Sequence, residues 1–113
     1  MSTISTHVLD TALGRPAGGV AVTLARVAED GAHPLGAGTT DADGRVRDLL
    51  APGAALGAGT YRLRFLVAAY FAASGRSAFY PEVAITFVVG DATEHYHVPL
   101  LLSPFGYSTY RGS

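Results

Sequence analysis

The feature of this sequence that most restricts its fold is the alternation of apolar and polar residues with a period of two. In YRLRFLV, the side chains of Tyr61, Leu63, Phe65 and Val67 fall on one face and the two intervening arginines on the other. The segments VAVTLARV and EVAITFVV repeat the pattern. Such alternation is typical of strands that bury one face. The segments HYHVPLLLS and YSTYRGS are predicted to form the last two strands.

Segments that contain glycine and proline separate these strands, among them GRPAGG, DADGR, PGAALGAG and SPFG. Short strands with turns of this kind predict an all-β sandwich of about seven or eight strands. The chain has 113 residues and shows neither an internal repeat nor a linker. Residues 1–113 are therefore expected to form a single domain.

Two segments depart from the alternation. VAAYFAASGR is rich in alanine and contains Gly75 near its end, which predicts a short helix stopped by a glycine. Pro99 lies inside HYHVPLLL and cannot donate a backbone hydrogen bond, so we expect it at a sheet edge or a bulge. The strand that carries His95 and His97 should then be irregular, which is a common setting for a functional site.

The composition excludes several classes of function. Without cysteine, the chain has no disulfide, thiol nucleophile or thiolate metal site. A net charge of −1 argues against nucleic acid or an anionic membrane as the main partner. The longest apolar run, FLVAAYFAA, is far shorter than the roughly 20 residues that span a bilayer. Because the first residues also lack the pattern of a secretory signal, a soluble, cytoplasmic protein is expected.

The content of charged residues is low for a small domain. Only 15% of the residues are charged, against about 25% in a typical domain, while 49% are hydrophobic. A small monomer of this composition should expose apolar patches, which usually mark interaction surfaces. An oligomer is therefore expected, although the many alanines also raise the hydrophobic count.

Four histidines are the first candidates for chemistry. His33 is expected to be solvated in a loop, DGAHPLG, whereas His7 lies in the first strand. His95 and His97 share a face if their strand is regular, and two such imidazoles can hold zinc. The simpler alternative is that one of them faces solvent and the other makes a structural hydrogen bond. The spacing alone favours this alternative, so no metal site is predicted.

Two arginines are further candidates for chemistry, and the sequence offers no evident side-chain nucleophile. Arg45 follows a turn, where an arginine is most simply a solvated charge, and Arg111 lies near the end of the sequence. An arginine beside a histidine disfavours protonation of the ring and keeps it able to act as a base near pH 7. No G-x-S-x-G segment marks an activated serine. If the protein is an enzyme, water activated by histidine is the expected attacking group.

Three segments together resemble one family across nearly the whole chain: STHVLDTALGRPAGGVAV, TTDADGR and HYHVPLLLSPFGYSTYRGS. The sequence resembles the 5-hydroxyisourate hydrolases, also called transthyretin-like or transthyretin-related proteins. The ending Tyr-Arg-Gly-Ser separates these hydrolases from transthyretins, which share the fold and carry thyroid hormone.

The resemblance implies a transthyretin-like β-sandwich of two four-stranded sheets with one short helix. It also implies a homotetramer, a dimer of dimers with sites in a channel between the dimers. The reaction implied is hydrolytic opening of 5-hydroxyisourate, a cyclic amide formed by urate oxidation, to 2-oxo-4-hydroxy-4-carboxy-5-ureidoimidazoline. No cofactor and no metal are implied.

The resemblance also assigns roles to residues of this sequence. His7, Arg45 and His97 are the catalytic residues that it implies, with Arg45 expected to hold His7 neutral. The substrate-binding residues that it implies are those of the final tetrapeptide: Tyr110, Arg111, Gly112 and Ser113. Arg111 is expected to hold a carbonyl oxygen of the substrate, and the final residues to line a site at a subunit interface. His95 has a supporting role.

Two other functions remain open. The first is a carrier of a planar small ligand in the same channel, and the second is a plain structural sandwich. A carrier needs an apolar channel without converging histidines and arginines. Convergence of His7, Arg45, His97 and Arg111 in one cleft would favour the hydrolase. Composition and spacing without the resemblance predict only a soluble, oligomeric β-sandwich.

Overall fold

The computed structural model describes residues 2–113, which form two packed β-sheets and one short helix. Nine strands and a helix follow one another along the described chain: β1 Ile4–Asp10, β2 Arg15–Pro16, β3 Ala21–Ala28, β4 Gly31–Thr39, β5 Arg45–Val46, β6 Gly59–Leu66, α1 Val67–Ala73, β7 Val83–Val89, β8 Tyr96–Ser103 and β9 Gly106–Thr109. The expected all-β sandwich with one short helix is confirmed.

The sheets have the orders β2-β1-β8-β9 and β4-β3-β6-β7, with β5 also paired to β1. Both two-residue strands, β2 and β5, pair with β1, whose other edge is taken by β8 along its whole length. They therefore lie end to end and occupy the place of one strand. The first sheet has five strands but is four strand positions wide, which refines the expectation of two four-stranded sheets.

The alternating side chains of both sheets meet in the core between them. Tyr61, Leu63 and Phe65 of β6 are fully buried, as their period of two predicts. Val67 is buried as well, although it opens the helix and does not extend the strand. The core sides of β1 and β8 are equally closed to solvent, so their remaining side chains face outward.

The helix ends as the sequence predicts. Gly75 has a φ of +69°, a conformation that costs glycine little. The Gly75 N–H donates to the carbonyl of Ala72 at 3.0 Å, and the Arg76 N–H donates to that of Phe71 at 3.0 Å. These two bonds form a Schellman motif and satisfy the last carbonyls of the helix. No helix within residues 2–113 is long and apolar enough to cross a membrane.

Two expectations about the last strands need correction: the position of Pro99 at a sheet edge or a bulge, and a last strand that extends through YSTYRGS. Pro99 lies neither at a sheet edge nor at a bulge, because β8 lies between β1 and β9 and pairs with β1 without a shift in register. Instead, pairing with β9 stops at Leu100 and Thr109, next to the proline, which has no N–H to extend the ladder. Strand β9 consequently ends at Thr109, and the following YRGS segment (residues 110–113) keeps only an isolated bridge between Gly112 and His97.

Candidate active site

The candidate site lies on the outer face of the five-stranded sheet. Ser5, His7 and His97 alternate with core residues of β1 and β8, so they point away from the core. Strand pairing places Ser5 beside His97 and His7 beside Arg45. Residues that are far apart in the sequence thus meet on one face because their strands are neighbours.

A cleft of about 250 Å³ opens on this face. Its walls come from β1, from the segment that begins with β5, from the start of β8 and from the YRGS segment. The residues that line it are Ser5, Thr6, Arg45, Val46, Arg47, His95, His97 and Ser113. Among the predicted site residues, the structure therefore brings Arg45, His97 and Ser113 together.

His7 lies at the margin of this arrangement. It is half-buried, and it pairs with Arg45 on one side and with Pro99 on the other, but it does not line the cleft of the single chain. His33 lies in strand β4 of the other sheet and not in the expected loop, with its Nε2 atom 2.8 Å from Asp30 Oδ1. His33 is exposed, as expected, and takes no part in the site.

A row of hydroxyl and imidazole groups orients His97. The Ser5 Oγ atom lies 2.8 Å from His97 Nδ1 and 3.1 Å from His95 Nε2. The other ring nitrogen of His95, Nδ1, contacts the hydroxyl of Thr3. The two imidazoles are nearly parallel, at 15°, with their centroids 6.4 Å apart. One serine therefore bridges both histidines and leaves Nε2 of His97 outside this row.

The environment of His97 lowers its pKa below the ordinary value of 6.5. Burial is the main cause, followed by the charges of His95, Arg45 and His7, which disfavour a further positive charge. A half-buried imidazole in this position is neutral at pH 7 and can accept a proton.

The YRGS segment covers one side of His97. The Gly112 N–H donates to the His97 carbonyl at 2.8 Å, and the glycine packs directly on the imidazole. Ser113 then reaches the cleft. Gly112 and Ser113 are thus the two residues of the final tetrapeptide that lie next to His97 and the cleft.

Tyr110 and Arg111 point elsewhere. They line a second cleft, of about 270 Å³, at the open side of the sandwich between β7 and β9, and His97 borders this cleft as well. The Arg111 guanidinium is bound to Glu94 and lies over the ring of Tyr96. Within one chain, Arg111 therefore shares a cleft with His97 but not with Arg45 or Ser113, and its expected contact with substrate stays a prediction.

Residues 4–112 match the HIUase/Transthyretin family. A protein named 5-hydroxyisourate hydrolase 2 from Rhizobium meliloti (strain 1021) is 50% identical over 114 residues, which cover 97% of this chain and 95% of the relative. The chain belongs to the HIUase/Transthyretin family. Its similarity to 5-hydroxyisourate hydrolases and its transthyretin-like fold, both expected from the sequence, are confirmed.

Solved structures agree with this assignment to the HIUase/Transthyretin family. The structure of Klebsiella pneumoniae 5-hydroxyisourate hydrolase has a TM-score of 0.86 and 43% identity, and the match covers 99% of this chain and 100% of that one. Sea bream transthyretin in complex with thyroxine has a TM-score of 0.87 and 32% identity, with 97% and 94% covered. The fold is shared by both branches of the family, so the site must distinguish them.

This member of the HIUase/Transthyretin family also carries site residues that the sequence did not single out: Ser5, Arg47 and Glu94. Ser5 and Arg47 line the cleft, and Glu94 holds Arg111. Among residues 2–113, neither Arg45 nor Arg47 has a side-chain hydrogen bond or ion pair, so two guanidinium groups are available to a ligand. The sequence did contain a signal for Arg47, because it lies two residues after Arg45 with one apolar residue between them. Within the same range, no three His, Cys, Asp or Glu side chains are grouped to hold a metal ion.

Proposed function

We propose that this protein hydrolyses 5-hydroxyisourate. The observation that carries the proposal is the cleft in which His97, with a lowered pKa, faces the side chains of Arg45 and Arg47. A neutral imidazole beside two guanidinium groups suits the attack of water on a carbonyl group, because a proton must be removed and negative charge must be stabilised. The family relatives named 5-hydroxyisourate hydrolase agree with this chemistry.

The reaction follows from these groups. His97 Nε2 takes a proton from water as the oxygen attacks the carbonyl carbon of the cyclic amide. Arg45 and Arg47 stabilise the oxygen that becomes negative, and the ring C–N bond then breaks. The departing nitrogen takes the proton back from His97, and the new carboxylic acid releases its remaining proton to solvent as a carboxylate. His7, beside Arg45, assists in positioning the water.

The row formed by Thr3, His95, Ser5 and His97 suits both halves of this cycle. If His97 Nδ1–H donates to Ser5 and the serine donates to His95, then Nε2 of His97 is free to accept a proton. Once Nε2 has accepted that proton, the Nδ1–H stays on Ser5, and the imidazolium can give the Nε2 proton to the leaving nitrogen. The row therefore supports His97 first as a base and then as an acid.

In the proposed site, one end of the YRGS segment forms a wall of the cleft beside His97, and the other end faces a neighbouring subunit. Ser113 lines the cleft, and Gly112 packs on His97 beside it. Tyr110 is 58% exposed and is free to meet the substrate in a neighbouring subunit. The proposed site is therefore completed by more than one chain.

We propose a homotetramer, a dimer of dimers, as the assembly that completes the site. Strands β7 and β9 are both sheet edges and flank the same open side of the sandwich. Next to them lies an exposed aromatic patch, which consists of Phe79, Tyr80, Phe105 and Tyr107. Phe79 and Phe105 are 69% and 72% exposed, and rings so exposed favour burial against another copy.

Light scattering at micromolar concentration should give four times the chain mass of 11.7 kDa, and a mass of one chain would contradict the assembly.

One assay tests the activity. Urate oxidase generates 5-hydroxyisourate from urate in the cuvette, and its decay is followed with and without the protein. His97→Asn should remove the enzymatic acceleration, and circular dichroism should show an unchanged fold. A carrier would bind thyroxine without accelerating the decay, and that outcome would favour the transthyretin branch. The proposal includes a cytoplasmic location, which cell fractionation tests.

A further inference from the structure

The YRGS segment is held in place with little help from the sheet. Strand β9 ends at Thr109, and one backbone bridge, between Gly112 and His97, is the only strand pairing found for this segment in the described chain. A segment with so few backbone bonds is expected to fray, unless side chains fix it. Ser113 nevertheless lies in the cleft.

The side chain that fixes the segment is Arg111. Its Nη2 atom donates to Glu94 Oε2 at 2.8 Å, and its Cζ atom lies 4.6 Å from the centre of the Tyr96 ring. Glu94 raises the pKa of Arg111 further above its ordinary value, through the hydrogen bond and through its charge. Glu94 and Tyr96 belong to the stretch that leads into His97. Arg111 is thus fastened to the same piece of chain that carries the proposed base.

We propose that Glu94 is a positioning residue, which acts through Arg111 to hold the YRGS segment over His97. This inference rests on the proposed function for its meaning, but it concerns a contact that can be tested without substrate. Arg111 then contributes to the site by its anchorage, while Gly112 and Ser113 provide the surface next to the imidazole.

The geometry links the anchor to the base through one residue. Gly112, the neighbour of Arg111, donates its N–H to the His97 carbonyl and contacts the ring. If the ion pair is broken, this glycine can lift and water can reach the imidazole. Because burial is the main reason for the low pKa of His97, that pKa should then rise toward 6.5. The charges of His95, Arg45 and His7 around the ring stay in place and limit the rise.

The magnitude of the effect separates positioning from direct contact with substrate. The side chains of Arg111 and Glu94 are 60% and 49% exposed, so their pair is screened by water. Its loss should lower kcat/KM about two- to fivefold, and loss of the cation–π contact as well should bring the effect to about tenfold. A donor that stabilises the reacting oxygen usually accounts for about 100- to 1,000-fold.

The experiment compares four variants of the full chain. Glu94→Gln and Arg111→Gln break the ion pair, whereas Arg111→Lys keeps a cation for both Glu94 and Tyr96. Glu82→Gln is the matched control, because it breaks an exposed arginine–glutamate pair, with Arg64, on the other sheet, and that pair even has two hydrogen bonds. The readouts are kcat/KM for 5-hydroxyisourate and the pKa of His97 from NMR titration, with its resonance assigned from His97→Asn.

We expect Glu94→Gln and Arg111→Gln to raise the pKa of His97 and to lower kcat/KM by the amounts given above. Arg111→Lys should stay within about twofold of the parent protein, and Glu82→Gln should change neither readout. An unchanged His97 pKa in both charge-removing variants would overturn the proposal. So would a loss beyond about 100-fold in both Arg111→Lys and Arg111→Gln, since the planar fork would then be holding substrate.

The titration also keeps the two proposals apart. If the parent protein does not accelerate decay of 5-hydroxyisourate, the proposed function fails. The pKa of His97 still reports whether Glu94 holds the segment, because this measurement needs no substrate.

Discussion

The backbone of Gly112 lies directly against the imidazole of His97. A Cβ atom added to Gly112 would fall 2.5 Å from Cδ2 of His97 and 3.2 Å from Cγ of Pro99. Both neighbours are closely held, since Pro99 is buried and His97 is bonded to Ser5. A glycine is therefore required here for the space that it leaves, and the site has no room for a larger residue.

Gly112→Ala should consequently displace either the YRGS segment or the ring of His97. A shift of about 1 Å in a reacting group can cost about 100-fold in rate, so kcat/KM should fall by about ten- to 100-fold. The thermal transition should barely move, because Gly112 lies outside the core. The measurements are hydrolysis of freshly generated 5-hydroxyisourate and thermal unfolding followed by circular dichroism.

Gly106→Ala is the matched control for this substitution. It adds the same methyl group in β9, where its nearest neighbour would be Ser103 Oγ at 3.8 Å, an ordinary contact distance. This variant should keep full activity. Equal activity of both alanine variants would show that close packing on His97 is irrelevant to the reaction.

The pH dependence should follow the proton of His97. Since its pKa lies below 6.5, kcat/KM should rise with pH to a midpoint below 6.5 and then level off. Arg45→Ala removes one of the repelling charges and should move the midpoint upward, whereas Arg45→Lys should leave it near its original place. An unchanged midpoint in Arg45→Ala would contradict the role of this arginine in lowering the pKa of His97.

The same shift has a consequence for stability. Between the lowered pKa of folded His97 and 6.5, the unfolded chain binds more protons than the folded chain. The contribution of His97 to the free energy of unfolding is therefore complete above about pH 6.5. It decreases as the pH falls through this window and is constant below the folded pKa. Urea unfolding at several pH values, compared with His97→Asn, measures it.

The parts of the fold that depend on near neighbours in sequence were predictable. Alternation predicted the buried face of β6, and Gly75 predicted the end of the helix, because both signals act over a few residues. Strand β5 was not predicted, because a strand of two residues is too short to show an alternation of apolar and polar residues. The end of β9 was missed as well, because it depends on a proline in the neighbouring strand.

The site was predictable only in part, for a similar reason. Arg45 and His97 were assigned from family motifs, and no local pattern predicts that β5 and β8 bring them to one cleft. The contact between Glu94 and Arg111 joins two exposed side chains outside regular strands. Neither periodicity nor turn signals describe such a contact, so the orientation of Arg111 became known only from the structure.

Ser5 should be needed to orient His97. In Ser5→Ala, Nδ1 of His97 loses its hydroxyl partner, and the loss of one such hydrogen bond should lower kcat about five- to tenfold. Ser5→Thr keeps the hydroxyl and should restore most of the rate. Ser108→Ala, an exposed serine in β9, is the control and should have no effect. If Ser5→Ala matches the control, the row of hydrogen bonds does not orient the base.

His7 should contribute to the reaction although it lies at the margin of the cleft. A group that moves a proton or holds the attacking water typically contributes about 100- to 10,000-fold, so His7→Asn should lose at least about 100-fold in kcat/KM. His33→Asn, on the other sheet, should be fully active. A fully active His7→Asn would remove His7 from the mechanism.

Asp10 should stabilise the fold and have no direct part in the reaction. It is fully buried, and Arg76 Nη2 and the Tyr70 hydroxyl each donate to its Oδ2 at 2.7 Å, joining β1 to the helix and the following loop. Burial pushes the pKa of Asp10 upward, but the hydrogen bonds from Arg76, Tyr70 and the Leu13 N–H outweigh it and hold the pKa below 3.8.

Because the folded pKa of Asp10 lies below the unfolded one, its contribution is complete above about pH 3.8 and is lost as the pH falls through the folded value. Removing one partner of a buried ion pair leaves the other uncompensated. Asp10→Asn should therefore lower the free energy of unfolding at pH 7 by about 3 kcal/mol, the lower end for such pairs, because the Arg76 side chain is 21% exposed. Glu82→Gln, at an exposed pair, should change it far less. Urea unfolding at pH 7 compares the two, and a loss in Asp10→Asn no larger than that in Glu82→Gln would mean that solvent, and not Asp10, satisfies Arg76.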